Sequence, residues 1–361
     1  MTQKKIAIAC QGGGSQTAFT AGVLMSLIDH KAHEKNQIVS LSGTSGGAVC
    51  AALVWQGLLK WTRGVKSESV VQDLASFWQD NATENLLESF LNNALIGYVQ
   101  LVDNGFLPEW NTSPYSPWRQ AWTIGMELFL PQFYDFKAIL KKHIDFDTAY
   151  QMIDPLKSPV LVIGAADVKS GKFKKFNSRS ADPKDKIDID SLLASAAVPT
   201  LTKAVEIGQD VYWDGLFSDN PPTDELIDDK IVGKDNIPDQ LWVIQINPRK
   251  CKHIPQTATE ISDRRNEMIG NASLLQDLQH ICRVNQWLER NAFKDDYKKD
   301  HNLKIIDIYT IQMSDALQES LYYPTKLDRD KAYIQDLIAH GEEIGGNFLS
   351  DPESMRYDCD E

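Results

Sequence analysis

Ile38-Val39-Ser40-Leu41-Ser42-Gly43-Thr44-Ser45-Gly46-Gly47-Ala48 carries the reading of this chain. A short apolar, β-branched run ends in G-x-S-x-G, and the sequence then continues from Ala48 to Lys60 in Ala, Val and Leu, which reads as a helix. Strand, tight turn and helix in that order give the motif a mechanical meaning. The glycines allow a turn with strained backbone angles, which lifts the Ser45 hydroxyl out of the sheet and sets it at a helix N-terminus, where free N–H groups favour negative charge. A chance match in a chain of this length is expected roughly 0.1 times. Ser45 is therefore the candidate nucleophile.

Upstream, Ile6-Ala7-Ile8-Ala9-Cys10 reads as a first strand, followed by a Gly-rich turn and a helix over about 17–30, so the first forty residues form a βαβ unit. Such units build parallel sheets. Downstream, 63 to about 150 turns helical, aromatic and irregular, and strand signals return at 160–166, 172–176, 241–246 and 304–311. Charged amphipathic stretches at about 260–290 and 328–348 read as two more helices. Strands interleaved with helices predict an α/β fold with a mostly parallel central sheet. The expected organisation is one large domain over 1–349, a helical insertion or cap at 61–150, and an acidic tail at 350–361 that frays.

Composition narrows the function classes. The chain has 361 residues, is 42% hydrophobic and 24% charged, and carries a formal charge of −13, a balance that argues against nucleic acid and against permanent docking on anionic lipid. Five cysteines at scattered positions (Cys10, Cys50, Cys251, Cys282, Cys359) show neither a disulfide framework nor the paired spacing of a zinc site, so reduced thiols are expected. No cofactor is expected. With no apolar run long enough to span a bilayer and no signal-like N-terminus, the expectation is a cytoplasmic protein whose membrane contact is local and peripheral. Its oligomeric state is not legible.

The turn Gln11-Gly12-Gly13-Gly14-Ser15-Gln16-Thr17 can point amides at an anion held above the sheet edge. A dinucleotide fingerprint would place a third glycine where Thr17 stands and an acidic residue at the end of the second strand, and neither is present. The other use is an oxyanion hole, formed by Gly12, Gly13, Gly14 and the Gly46 amide, that stabilises the tetrahedral intermediate of ester attack. Ser45 also needs a base. None of the seven histidines lies in a motif, whereas Asp214, in Val211-Tyr212-Trp213-Asp214-Gly215, ends an aromatic strand and enters a Gly/Asn/Pro turn. Asp-Gly is equally a common hairpin turn, so the residues alone leave both readings of Asp214 open.

Taken together, these residues resemble the patatin-like phospholipase family. Gly12-Gly13-Gly14 is similar to its oxyanion loop, Gly43-Thr44-Ser45-Gly46-Gly47 to its serine elbow and Trp213-Asp214-Gly215 to its aspartate motif, while Ala194 to Pro199 and Ile246-Asn247-Pro248 are similar to flanking segments. The resemblance extends well over about 5–60 and 155–250, loosely over the C-terminal helices, and not over 61–150. It implies a three-layer α/β/α fold and a Ser45/Asp214 dyad without histidine. It also implies hydrolysis of fatty acyl esters without a metal. The sequence departs from the family where an Arg or Lys and a Gly are usual and Gln16 and Thr17 stand instead. A cation is lost there, which points to a substrate unlike that of typical members.

Two rival readings remain: a Ser/His/Asp α/β-hydrolase, and a lipid-binding or regulatory protein with weak turnover. The segment from Pro108 to Trp122 gathers Trp110, Trp118 and Trp122, a composition suited either to a lipid interface or to packing within a helical cap.

Overall fold

The computed structural model describes residues 3–83, 86–103, 106, 113–117, 120, 135–199, 201–251 and 254–360. Eight strands form one sheet: β1 (Lys5–Cys10), β2 (Gln37–Gly43), β3 (Val160–Asp167), β4 (Phe173–Asn177), β5 (Val205–Ile207), β6 (Asp210–Asp214), β7 (Gln240–Gln245) and β8 (Asp307–Gln312). Their order is β5-β6-β3-β2-β1-β7-β8, with β4 also paired to β3. The pairs among β3, β2, β1, β7 and β8 are parallel, and those of β3 with β4 and β6, and of β5 with β6, are antiparallel. Apart from β5, which the sequence reading does not mark, the strands start and stop within a few residues of their expected bounds.

The central strands are apolar almost throughout because both sheet faces are covered. Ile6, Ile8, Cys10, Leu41, Leu161, Ile163, Ile244 and Ile311 belong to one core, which includes side chains of the helices Ala18–Asp29, Gly46–Thr62, Glu68–Asn81 and Lys331–Ser350. Their alternate neighbours, Ala7, Ala9, Val160, Val162, Leu241, Val243 and Ile308, belong to a second core. That core includes Leu274, Leu278, Ile281 and Cys282, which share one face of the Ala258–Glu289 helix at spacings of four, three and one. Two cores on a period-2 sheet make three layers, α/β/α. Within the first, Gly22 and Gly341 let the Ala18–Asp29 and Lys331–Ser350 helices touch backbone to backbone: a Cβ at Gly341 would overlap the Phe19 carbonyl.

The described part of 61–150 is mainly helical, with Glu68–Asn81, Leu86–Asp103, Phe136–His143 and Phe146–Gln151 joined by turns and irregular stretches. Trp110, Trp118 and Trp122 lie outside the described residues. No helix among the described residues is long and apolar enough to cross a membrane.

Two expectations are corrected. The acidic tail is ordered: Pro352–Met355 forms a 3-10 turn, the Tyr357 N–H donates to the Ile308 carbonyl at 2.9 Å, and the Tyr357 ring is buried. The thiols are not all reduced either, since Cys282 and Cys359 form a disulfide across 77 residues of sequence. Both misreadings have one cause. The tail returns along β8 beside the Ala258–Glu289 helix, a long-range proximity that no local spacing encodes.

Candidate active site

Sheet topology brings Ser45 and Asp214 together. One edge of β3 is shared: Val160 to Ile163 pair with β2, and Ala165 to Asp167 pair with β6, which runs in the opposite direction. The C-terminal ends of β2 and β6 therefore approach one another head-on, separated by about the width of Gly164. The chain leaves β2 at Gly43 and reaches Ser45 two residues later, while Asp214 is the last residue of β6, opposite Ala165. The serine elbow and the aspartate thus occupy one point of the sheet edge, although 169 residues separate them in sequence.

Ser45 has φ 55° and ψ −129°, a conformation that side chains rarely adopt, on the turn into the Gly46–Thr62 helix. A cost of about 1–3 kcal/mol attends such a residue, so the surroundings must hold it. The holder is Ser195. Its Oγ accepts the Ser45 N–H at 2.9 Å and donates to the Gly164 carbonyl at 2.6 Å, and the side chain is fully buried. On the other flank, Thr44 Oγ1 donates to the Asp219 carbonyl at 2.7 Å. The serine is thereby fastened to the strand that carries the aspartate's partner and to the loop that follows the aspartate.

The Asp214 carboxylate is 1% exposed. It accepts the Leu216 N–H at 2.8 Å, and the Ser45 side chain lies near enough to act on its charge. Burial raises its pKa to about 6, and the Leu216 amide, the Ser45 hydroxyl and the nearby Lys326 charge each pull it partly back. A carboxylate with that affinity for a proton, beside a hydroxyl, is a better base than a solvated one.

The glycine turn lies against the same edge. Gly14 has φ +57°, and a Cβ there would overlap the Lys326 carbonyl. The amides of Gly13, Gly14 and Gly46 meet no acceptor among the described residues. Gly12 departs from the expectation set for it: its N–H donates to Asn220 Oδ1 at 2.8 Å and is already engaged. Asn220 belongs to the loop after Asp214, so this bond ties the glycine turn to the aspartate loop. Gln11 completes the frame, its Oε1 accepting the Ile246 and Asn247 amides at 2.8 Å each.

No described histidine enters this site. His143 pairs with Asp80 at 2.6 Å, His33 packs edge-on against Trp61, His30 bonds the Ser26 carbonyl, His301 lies against Tyr297, and His340 accepts the Ser314 N–H. His280 is exposed on the Ala258–Glu289 helix, and His253 lies outside the described residues. Among the described residues no three His, Cys, Asp or Glu side chains converge as a metal set would.

Three supporting residues were not assigned roles from sequence. Asn220 and Ser195 stand within stretches that the motifs already marked, but nothing local told their contacts. Lys326 lies 112 residues beyond Asp214 and carried no signal at all.

The sequence profile described as patatin-like phospholipase matches residues 8–227, more than half of the chain. No curated protein sequence matches it. Among solved structures, VipD from Legionella pneumophila is 10% identical with a TM-score of 0.44, covering 98% of this chain and 68% of its own. The type III effector ExoU is 14% identical with a TM-score of 0.36, covering 97% of this chain and 54% of its own. ExoU from Pseudomonas aeruginosa in complex with SpcU is 12% identical with a TM-score of 0.34, covering 98% and 52%. This chain therefore spans little more than half the length of the ExoU chains. By the match of its sequence over the elbow, the glycine turn and the aspartate strand, the chain belongs to the patatin-like phospholipase family.

Proposed function

We propose that this protein hydrolyses fatty acyl esters of lipids through a Ser45/Asp214 dyad. The observation that carries the reading is the approach of Ser45, on a strained elbow at the end of β2, to a buried aspartate at the end of β6 whose pKa is raised to about 6. Near neutral pH most of Asp214 is ionised and can take the Ser45 proton.

As Ser45 Oγ attacks the ester carbonyl carbon, its proton passes to Asp214 and the carbonyl oxygen becomes an oxyanion facing the Gly13, Gly14 and Gly46 amides. The tetrahedral intermediate collapses, the ester C–O bond breaks, and the departing alkoxide takes the proton from Asp214. Water then attacks the acyl-Ser45 ester, Asp214 again accepting the proton, and the fatty acid leaves with Ser45 restored. No step needs a metal or a second base. Phe217, three residues past Asp214 and 47% exposed, supplies apolar surface close to the site, in keeping with a lipid substrate and peripheral contact with its aggregates.

The test is labelling by a fluorophosphonate together with hydrolysis of a short-chain nitrophenyl ester. Ser45→Ala abolishes both, on the order of 10⁶-fold for hydrolysis, and Asp214→Asn slows both. Undiminished hydrolysis by folded, purified Ser45→Ala removes the assignment.

A further inference from the structure

The glycine turn carries no cation of its own: Gly12 to Thr17 are all neutral. A cation nevertheless stands beside it, delivered from the far end of the chain by the 3-10 turn Tyr323–Lys326. Three contacts seat that turn. Gly14 packs directly on the Lys326 carbonyl, Gln16 Nε2 donates to Thr325 Oγ1 at 2.9 Å, and Lys326 Nζ donates to Asn247 Oδ1 at 2.7 Å. Asn247 follows Ile246, whose side chain lies so close to Gly13 that a Cβ there would strike it. The glycine turn is thus clamped between the end of β7 and the Lys326 turn, and Gln16, Ile246, Asn247 and Lys326 line one small cleft.

We propose that Lys326 is an electrostatic positioning residue of the ester-hydrolysing site: its turn holds the Gly13–Gln16 amides in place, and its ammonium favours negative charge on Asp214 and on the oxyanion. The proposal rests on the Ser45/Asp214 reading. The charges around Lys326 fit it. Asp263 and Glu267 of the Ala258–Glu289 helix line the same cleft, Glu267 being shared with Arg264 at 3.0 Å, Asp214 at the end of β6 is near enough for its charge to act on Lys326, and Tyr322, beside the turn, also lines the cleft. Burial lowers the Lys326 pKa, and the three carboxylates oppose that fall, so the charged form depends on these partners. The coupling runs both ways, since the Lys326 charge is one of the influences holding Asp214 down.

The pH dependence of kcat and KM, measured on a soluble, uncharged short-chain ester for the parent, Lys326→Met and Lys326→Arg, tests this. The parent gives an acid limb set by Asp214 and an alkaline limb where Lys326 loses its proton below the ordinary lysine range. Lys326→Met lowers kcat about 10- to 100-fold with KM changed little, and moves the acid limb up by about one pH unit. Lys326→Arg keeps most of kcat, and its alkaline limb moves to higher pH because a guanidinium does not deprotonate there. A purely packing role would lower stability in both variants and leave both limbs in place. Thermal melts establish folding; should Lys326→Met be unfolded, the alkaline limb in Lys326→Arg decides alone. A folded Lys326→Met with parental kcat and an unmoved acid limb overturns the proposal, as does an unmoved alkaline limb in Lys326→Arg. A parent without Ser45-dependent hydrolysis overturns the dyad reading and this proposal together, a failure recognisable because it precedes any Lys326 variant.

Discussion

Ser195→Ala removes one hydroxyl and tests how the elbow is held. That oxygen accepts the Ser45 N–H at 2.9 Å and donates to the Gly164 carbonyl at 2.6 Å in a fully buried setting. Alanine leaves a buried donor and a buried acceptor without partners, each worth about 1–3 kcal/mol, so a stability loss of about 2–4 kcal/mol is expected once partial relaxation is allowed. The same change releases the amide that helps keep Ser45 at φ 55°. With that restraint gone the hydroxyl drifts from Asp214, and misplacement of a reacting group by about 1 Å costs on the order of 10²-fold in rate. Urea unfolding of parent and variant gives the stability difference. Stopped-flow labelling of Ser45 by a fluorophosphonate and steady-state ester hydrolysis give the rate, with kcat falling about 10- to 100-fold and KM nearly unchanged. A variant as stable as the parent, and labelled as fast, would refute the argument, because the bridge would then hold nothing.

Further outcomes follow from the geometry. Under the proposed dyad Asp214 acts as a carboxylate, and with its pKa raised to about 6, kcat/KM should rise with pH through that region and level off above it; a pH profile flat down to 4.5 contradicts the dyad. The same raised pKa means that the folded state binds the Asp214 proton more tightly than the unfolded chain, so stability falls as pH climbs from about 4 to about 6 and stays lower above. Asp214→Asn should therefore be more stable than the parent by about 2–3 kcal/mol at pH 8 but not at pH 4, seen as a raised urea midpoint at the higher pH alone. His143→Ala loses its bond to Asp80 and about 1 kcal/mol of stability but keeps hydrolysis within a few-fold of the parent, and a folded His143 variant as inactive as Asp214→Asn would contradict the dyad. Gly341→Ala forces a methyl group onto the Phe19 carbonyl and should destabilise the protein by about 1–3 kcal/mol or more, read from the urea midpoint.

Much of this protein was legible in its residues because the signals were local. A β-branched run, a glycine-flanked serine and an alanine-rich helix follow one another within twenty-five positions, and their backbone requirements can be met in few other ways. The alternating apolar residues of β1, buried on both faces, likewise announce a covered parallel sheet before any partner strand is known. Asp214 was different, since Asp-Gly serves a hairpin turn as readily as a catalytic strand end; its approach to Ser45 depends on β3 lending one edge to two strands that run in opposite directions. Nor could the residues reveal that Asn220 occupies the Gly12 amide, that Ser195 ties the elbow to Gly164, that Cys359 returns to Cys282, or that Lys326 comes to rest on the glycine turn. Sequence by itself determined which short stretches could make an elbow, an amide-rich turn and an acidic strand end, because those are properties of neighbouring dihedrals and side chains. Which buried groups meet was decided only by the tertiary structure, since packing and desolvation act on proximity in space, and residues tens to hundreds of positions apart share no local term that could encode it.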